Sequence, residues 1–370
     1  MSEYDKLCYL QQKMNRRWIC SDVWMDILPH FDRPQLGLKL AILSPRFELL
    51  VDKHFDGKRE LTILKTITIR KDDVITGAAE LSVLNDYANS ESFPWPDRPL
   101  PNKIHFKHLQ IDYIDHSVIA FLRSNQQIWD KGTNLSLIFS SAQDVQPIWG
   151  VFVREIWPIF AQNIRHLSFY GDGILLDNLR RLISPTILTD FNINSIYSGR
   201  LLPEPICDDG PNAIPTAGQM LSKWLHTPTK DGQPKRLLCF LKPPNIEWAN
   251  TLKTKFLKAT TSVHYKIQFI VYRPSTQIVP FELANERTKE KLTLIKTSEQ
   301  SEYDKCERWI MKRCKNGETT AAVKWENYVN SDANLNNVKF DFWDGSNYIG
   351  PLSPPVEKKT KKRIKATEIN

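Results

Sequence analysis

The chain has 370 residues, 41% of them hydrophobic and 11% aromatic, which allows two or three cores and excludes a globally disordered polymer. Six positive charges of the net +8 sit in the segment Lys358 to Lys365 (KKTKKRIK), so the rest is close to neutral and no nucleic-acid partner is expected. No apolar run approaches the ~20 residues that cross a bilayer, and the N-terminus has no apolar signal core, so no membrane partner is expected.

Residues 17–55 carry helical periodicity. Ser21 and Asp22 fit N-caps for a run in which Val23, Trp24, Ile27, Leu28 and Phe31 recur at helical spacing. Pro34 opens a second segment with Leu36, Leu40, Leu43 and Phe47 on one stripe, and Pro45 forces a break near Ser44. Three short helices packed together follow from this pattern.

Residues 56–101 read as a strand followed by a linker. Leu61 to Arg70 alternates and is rich in β-branched residues, whereas the stretch from Leu84 to Pro101 is dense in proline, serine and asparagine.

Across residues 102–297, strand-like runs recur at Ile104 to Ile111, Asn134 to Phe139, Ile164 to Phe169, Leu188 to Ile193, Arg236 to Leu241 and Tyr265 to Tyr272. Their spacing is mostly 24 to 31 residues, and amphipathic helical runs lie between them, one of which Pro158 must bend or end. A βα unit of this period is the pattern of an irregular leucine-rich-repeat-like solenoid, although the strict LxxLxLxxN motif is absent. An ordinary α/β domain also alternates strands with helices.

From Pro280 to Lys296 two alternating runs flank the turn NERTKE, which predicts a hairpin. Residues 298–351 then read as an α+β extension: a short helix over SEYDKCERWIMKRC, with strand-like pieces at Val323 to Val329 and Val338 to Trp343. Residues 352–370 have charge and proline without apolar periodicity, which predicts a disordered basic tail. The tail fits a nuclear-import signal or a solubilising extension, so a cytoplasmic or nuclear address is expected.

The residues Ser21 to Phe55 resemble the F-box motif. Ile27 and Leu28 match its Ile-Leu, Phe31 the apolar residue that follows, Asp32 the turn aspartate and Leu36 the next leucine. Leu43, Ser44, Arg46 and Phe47 match its Val-Ser-x-Arg-Trp end. The order of DRPLPNK, YIDHSVIAFLRSNQQIWDKGTNL, VFVREIWPIFAQNIRHL and PFELANERTKEKLTL looks like the F-box-like family of plant-parasitic nematodes, over about Ser21 to Lys296. The chain departs from the motif at Ile19-Cys20, where Leu-Pro is usual, and at Phe47, where Trp is usual.

The resemblance implies that the helical module docks a Skp-family adaptor of a cullin-RING ubiquitin ligase, and that the C-terminal domain holds a target protein. Adaptor contacts are then expected at Trp24, Ile27, Leu28, Phe31, Pro34, Leu36 and Leu43. Alternation points to target contacts on the strand face at His105, Lys107, His166 and Tyr170, with Gln110, Ser168 and Gln268 nearby. A helical cap for the repeat, or a scaffold with no adaptor, are the competing readings of the module.

Enzymatic signals are absent from the sequence. There is no phosphate-binding GxxxxGK[ST], no GxGxxG after a strand, no HExxH and no GxSxG. The six cysteines form no CxxC pair, and Asp115 reads as a helix N-cap rather than a catalytic acid. DDGPN (Asp208 to Asn212) has no metal-loop spacing, and Trp149, Trp157, Trp224, Trp248 and Trp325 are expected in packing roles. No cofactor, no metal and no catalytic residue is therefore expected.

Overall fold

The computed structural model describes residues 19–55, 63–72, 79–84, 90–93, 95–96, 99–100, 105–129, 132–139, 146–170, 173–205, 215–229, 233–241, 247–272, 278–297, 306–315, 336–342 and 349–353. The protein is mixed α/β, and its described residues are organised around a sheet of 13 strands. A small helical module precedes the sheet: α1 (Ser21–Ile27), α2 (residues 33–43, with a π-helical stretch at Leu36–Leu40) and α3 (Pro45–Phe55). Ser44 is extended between α2 and α3 and its hydroxyl accepts the Phe47 amide at 3.3 Å, so the break expected at Pro45 is present.

The next strands are β1 (Ile63–Lys71), β2 (Ala79–Leu84), β3 (Ser90–Phe93) and β4 (His105–Ile111). An alternating series follows: α4 (His116–Ser124), β5 (Thr133–Phe139), α5 (residues 146–160), β6 (Ile164–Phe169), α6 (Ile174–Leu182), β7 (Ser195–Tyr197), α7 (Ala217–His226), β8 (Lys235–Leu241), α8 (Glu247–Lys258) and β9 (Tyr265–Tyr272). The chain ends with β10 (Phe281–Asn285), β11 (Glu290–Lys296), β12 (Cys306–Lys315) and β13 (Asn336–Phe342).

The strand order is β10-β11-β12-β9-β8-β7-β6-β5-β13-β4-β1-β2-β3. From β5 to β9 each strand is parallel to its predecessor and is added on the same side of it. Right-handed crossovers added always in one direction place every connecting helix on one face. The core follows that geometry. Leu109, Leu135, Leu167, Ile196, Leu237 and Ile267 are all fully buried among α4 to α8 residues such as Leu122, Phe160, Leu179, Leu221 and Phe256. Order never reverses within this run, so no switch-point crevice of the doubly wound type arises there.

Local chemistry sets the helix ends. Asp115 caps α4 by accepting the Ser117 and Val118 amides, as the sequence predicts, and Thr216 with Gln219 forms a capping box on α7. Pro158 removes a donor inside α5, and the helix widens to a π-turn over Phe152–Ile156 just before it instead of ending. Trp149, Trp157 and Trp224 are core residues, while the Trp248 side chain and Trp325 lie outside the described residues.

Several expectations are corrected. The run Leu188 to Ile193 is not a strand. A short helix, Ile187–Asp190, is held there by hydrogen bonds from Ser184 and Thr186 to the Asp190 carboxylate, and the strand begins at Ser195. The segment expected to hold a short helix is β12, paired on both sides with β9 and β11. The stretch read as linker contains β3. The boundary drawn between 297 and 298 cuts a continuous sheet, because β12 closes one flank and β13 lies between β4 and β5. Just beyond β13, the Gly350 amide donates to Ile114 and the His116 amide to Pro351; any Cβ at Gly350 would overlap the Tyr113 hydroxyl. Val323 to Val329, Asp208 to Asn212 and Lys358 to Lys365 lie outside the described residues.

The antiparallel flank is locked by a buried ion pair. Arg313 and Glu290 are exposed by 1% and 0%, and the guanidinium donates to Glu290 Oε2 at 2.7 and 3.1 Å and to the Thr261 carbonyl at 2.8 Å. Ser262 Oγ and the Val263 amide supply the second carboxylate oxygen at 2.8 and 3.0 Å. Burial pushes the Glu290 carboxyl up, but hydrogen bonds from Arg313, Thr288 and Ser262 and the Arg313 charge outweigh it and hold the group below its ordinary value. Arg313→Ala should cost about 3–5 kcal/mol in urea unfolding, because it strands a buried carboxylate. The pair Arg313→Met with Glu290→Gln should cost clearly less than the sum of the single changes.

His226 lies near this flank. Its Nδ1 donates to the Ser222 carbonyl at 2.8 Å, and burial first, then the nearby Lys255, Arg313 and Lys235 charges, push its pKa down to about 4. The unfolded chain therefore binds this proton more readily, so stability is complete above pH 6.5 and falls as pH drops from 6.5 toward 4, by at most about 3 kcal/mol. A urea midpoint series over that window should show the slope, and His226→Asn should flatten it.

Candidate functional site

Two surfaces among the described residues bear on a partner-binding role. The first lies on the helical module. Leu28, Leu36, Leu40, Ala41, Leu50, Val51 and Phe55 form a separate small core, with Trp24, Met25 and Phe47 packed against it. Trp24 meets Phe47 edge-on at 4.8 Å, so Phe47 serves that core directly. Leu38 instead joins the core of the sheet, and Lys39 pairs with Glu91 at 2.8 Å over the Phe93 ring, which seats the module on the β3 edge.

A module of this size cannot turn all its apolar residues inward. Phe31 is 37% exposed and Leu43 63%, with Leu49, Val23 and Ile19 also exposed. Trp24, Ile27 and Pro34 are half-buried. Leu28 and Leu36, expected as contact residues, are 0% and 2% exposed, and this corrects them to internal packing residues. Leu49 was missed because the F-box pattern ends two residues before it.

The second surface is the sheet face opposite the described helices. Cross-strand register aligns Thr66, His108, Asn337, Asn134, His166, Ser195, Arg236 and Lys266 in one row. The next row runs through Thr68, Gln110, Lys339, Ser136, Ser168, Tyr197, Leu238 and Gln268. Asn134 Nδ2 donates to Asn337 Oδ1 at 2.7 Å across the β5–β13 pair. The middle of the two rows, from Thr66 and His108 to Tyr197 and Leu238, lines a trough of 530 Å³ together with Tyr170.

Tyr170 is 43% exposed and packs on Tyr197 at 4.8 Å, presenting an aromatic platform at one end of the trough. Near it, Lys339 pairs with Asp341 at 2.6 Å and Gln110 donates to Asp112 at 2.9 Å. Burial, with the Asp341 charge adding to it, raises the Asp112 carboxyl. Burial also raises the Tyr170 hydroxyl. Of the expected target contacts, Tyr170 lines the trough, whereas His166, in the first row, is 3% exposed and is not among the lining residues. His105 and Lys107 belong to β4, and their side chains lie outside those described. Asn134, Ser136, Asn337 and Lys339 were missed, although the alternation of NLSLIF and NNVKFDF places them on one face.

Among the described residues, no group of three His, Cys, Asp or Glu side chains is arranged to hold a metal ion, and no helix is long and apolar enough to cross a membrane. Cys239 is fully buried and its thiol is pushed up to about 12 by burial, which removes it as a nucleophile. Comparison with protein-family models, curated proteins and solved structures found no match.

The exposed patch and the module core are separable by substitution. Phe31→Ser with Leu43→Ser should change unfolding free energy by no more than about 0.5 kcal/mol, whereas Leu28→Ala should cost about 2–5 kcal/mol. Urea unfolding of the two variants distinguishes them.

Proposed function

We propose that the protein is a non-catalytic adaptor of the F-box type. In this reading the helical module docks a Skp-family subunit of a cullin-RING ubiquitin ligase, and the trough on the sheet face opposite the described helices, in an irregular repeat-like domain, holds a target protein. The observation that carries the reading is that Phe31, Leu43 and Leu49 stay exposed on a module that already has a buried apolar core of its own. Large apolar side chains left in solvent on a small module are what a partner would cover, and aromatic anchors dominate the energy of such interfaces.

The target-facing role of the trough rests on its composition. Amides, hydroxyls, His108 and Lys339 alternate there with Leu109, Leu238 and Val338, a mixed surface suited to protein recognition, with aromatic contact area at Tyr170. The chain would contribute positioning, raising the local concentration of a target lysine near the transfer machinery. The bond-forming chemistry would belong to the partner enzymes.

The test is capture of a Skp-family adaptor by the full chain, with Phe31→Ser plus Leu43→Ser as the comparison. Binding by the parent that drops at least tenfold in the double variant, with unchanged melting of the free chain, is the expected result. A folded parent that captures no adaptor returns the chain to a scaffold without ligase association.

A further inference from the structure

A second cavity lies on the helix side of the sheet, at the starting end of β6, β7 and β8. It measures 380 Å³ and is lined by Arg165, Asn194, Trp224, Thr229 and Lys235 together with the loop around Phe191. The cross-strand pairs His166–Ser195 and Ser195–Arg236 put Arg165, Asn194 and Lys235, one residue earlier on each strand, at the same level. The Asn194 amide donates to Arg165 and the Arg236 amide to Asn194, at 3.0 and 2.9 Å, so the backbone fixes the three positions.

Lys235 is 5% exposed. Its ammonium donates to the Trp224 and Thr227 carbonyls at the C-terminal end of α7, and sits 5.1 Å from the Trp224 ring centroid. Carbonyls and a ring face compensate a buried cation only in part, since neither carries a full negative charge. No Asp or Glu is among the residues lining the cavity, and Arg165 adds a second positive charge to it. Burial correspondingly pulls the Lys235 pKa down to about 8. Asn194 Oδ1 is buried with no partner among the described residues, leaving an acceptor that needs a donor.

We propose that this recess binds the phosphate group, with its oxygens between Arg165 and Lys235 and a P–OH or adjoining hydroxyl donating to Asn194 Oδ1. Two cations on a rigid three-strand base supply the charge-assisted hydrogen bonds that an oxyanion needs, and the unpaired acceptor favours hydrogen phosphate over sulfate, which has no proton to give. The site is remote in kind from the trough and the module patch, and its existence does not depend on the adaptor reading. The phosphate is either free or esterified on a serine-type hydroxyl, and the two share the same recognition chemistry.

The experiment uses the full chain and isothermal titration with inorganic phosphate, sulfate and O-phosphoserine against a chloride background of equal ionic strength. Saturable binding of phosphate, weaker binding of sulfate and a loss of about tenfold or more in Arg165→Gln, with Arg165→Lys retaining part of the affinity, is the expected pattern. Arg165 is half-buried and is no part of the apolar core, so its variants keep the test independent of α7, whose end Lys235 holds. Tighter binding of O-phosphoserine identifies an esterified source, and tighter binding of inorganic phosphate a free one. The absence of saturable phosphate binding by the folded parent, or equal affinity in parent and Arg165→Gln, would overturn the proposal.

Discussion

The direction in which strands are added governs most of this molecule. Because β5 to β9 each join on the same side of the strand before, and because a crossover between parallel strands is right-handed, the helices have a single face available to them. One face of the sheet is therefore a dense apolar layer, and among the described residues the other carries polar side chains. The polar rows through Asn134, Ser136, Ser168, Asn337 and Lys339 are the chemical answer to that constraint. A doubly wound sheet would have covered both faces and placed its crevice at a reversal of strand order, which this run lacks.

A sheet grown in one direction also has ends to close and gaps to fill. On one flank the hairpin of β10 and β11 and then β12 continue the sheet beyond β9, and the buried Arg313–Glu290 pair ties β11 and β12 to the loop before β9. In the middle, β13 arrives from more than 200 residues away to separate β4 from β5, with Val338, Phe340 and Phe342 completing the core and Asn337 reaching Asn134. Local pairing cannot supply such a strand. Its loop-closure cost is met only when the surrounding core has formed, so this insertion couples the C-terminal strand to β4 and β5.

The helical module obeys a different limit. With a core of seven buried apolar residues it leaves Phe31, Leu43 and Leu49 outside, while Leu38 and Lys39 hold it to the β3 edge. Three surfaces of distinct chemistry thereby coexist among the described residues: exposed apolar side chains on the helical module, a trough of mixed polar and apolar lining, and a cationic recess at the start of β6 to β8.

By itself the sequence determined the elements whose signals are local. The three module helices, the strands around His108, Leu135, Leu167, Leu237 and Ile267, the Asp115 cap and the 281–296 hairpin are legible because side-chain periodicity and capping act over a few residues. Tertiary structure alone decided what depends on distant partners. The segment from Cys306 to Lys315 is a strand because β9 and β11 flank it, and β13 is central because a gap between β4 and β5 accepts it. Within the F-box-like pattern the letters could not separate Leu28, which packs inward, from Phe31, which faces solvent, since both are apolar and three residues apart. Nor could they bring Arg165, Asn194 and Lys235 together, because those residues share a level only through the parallel register of three strands.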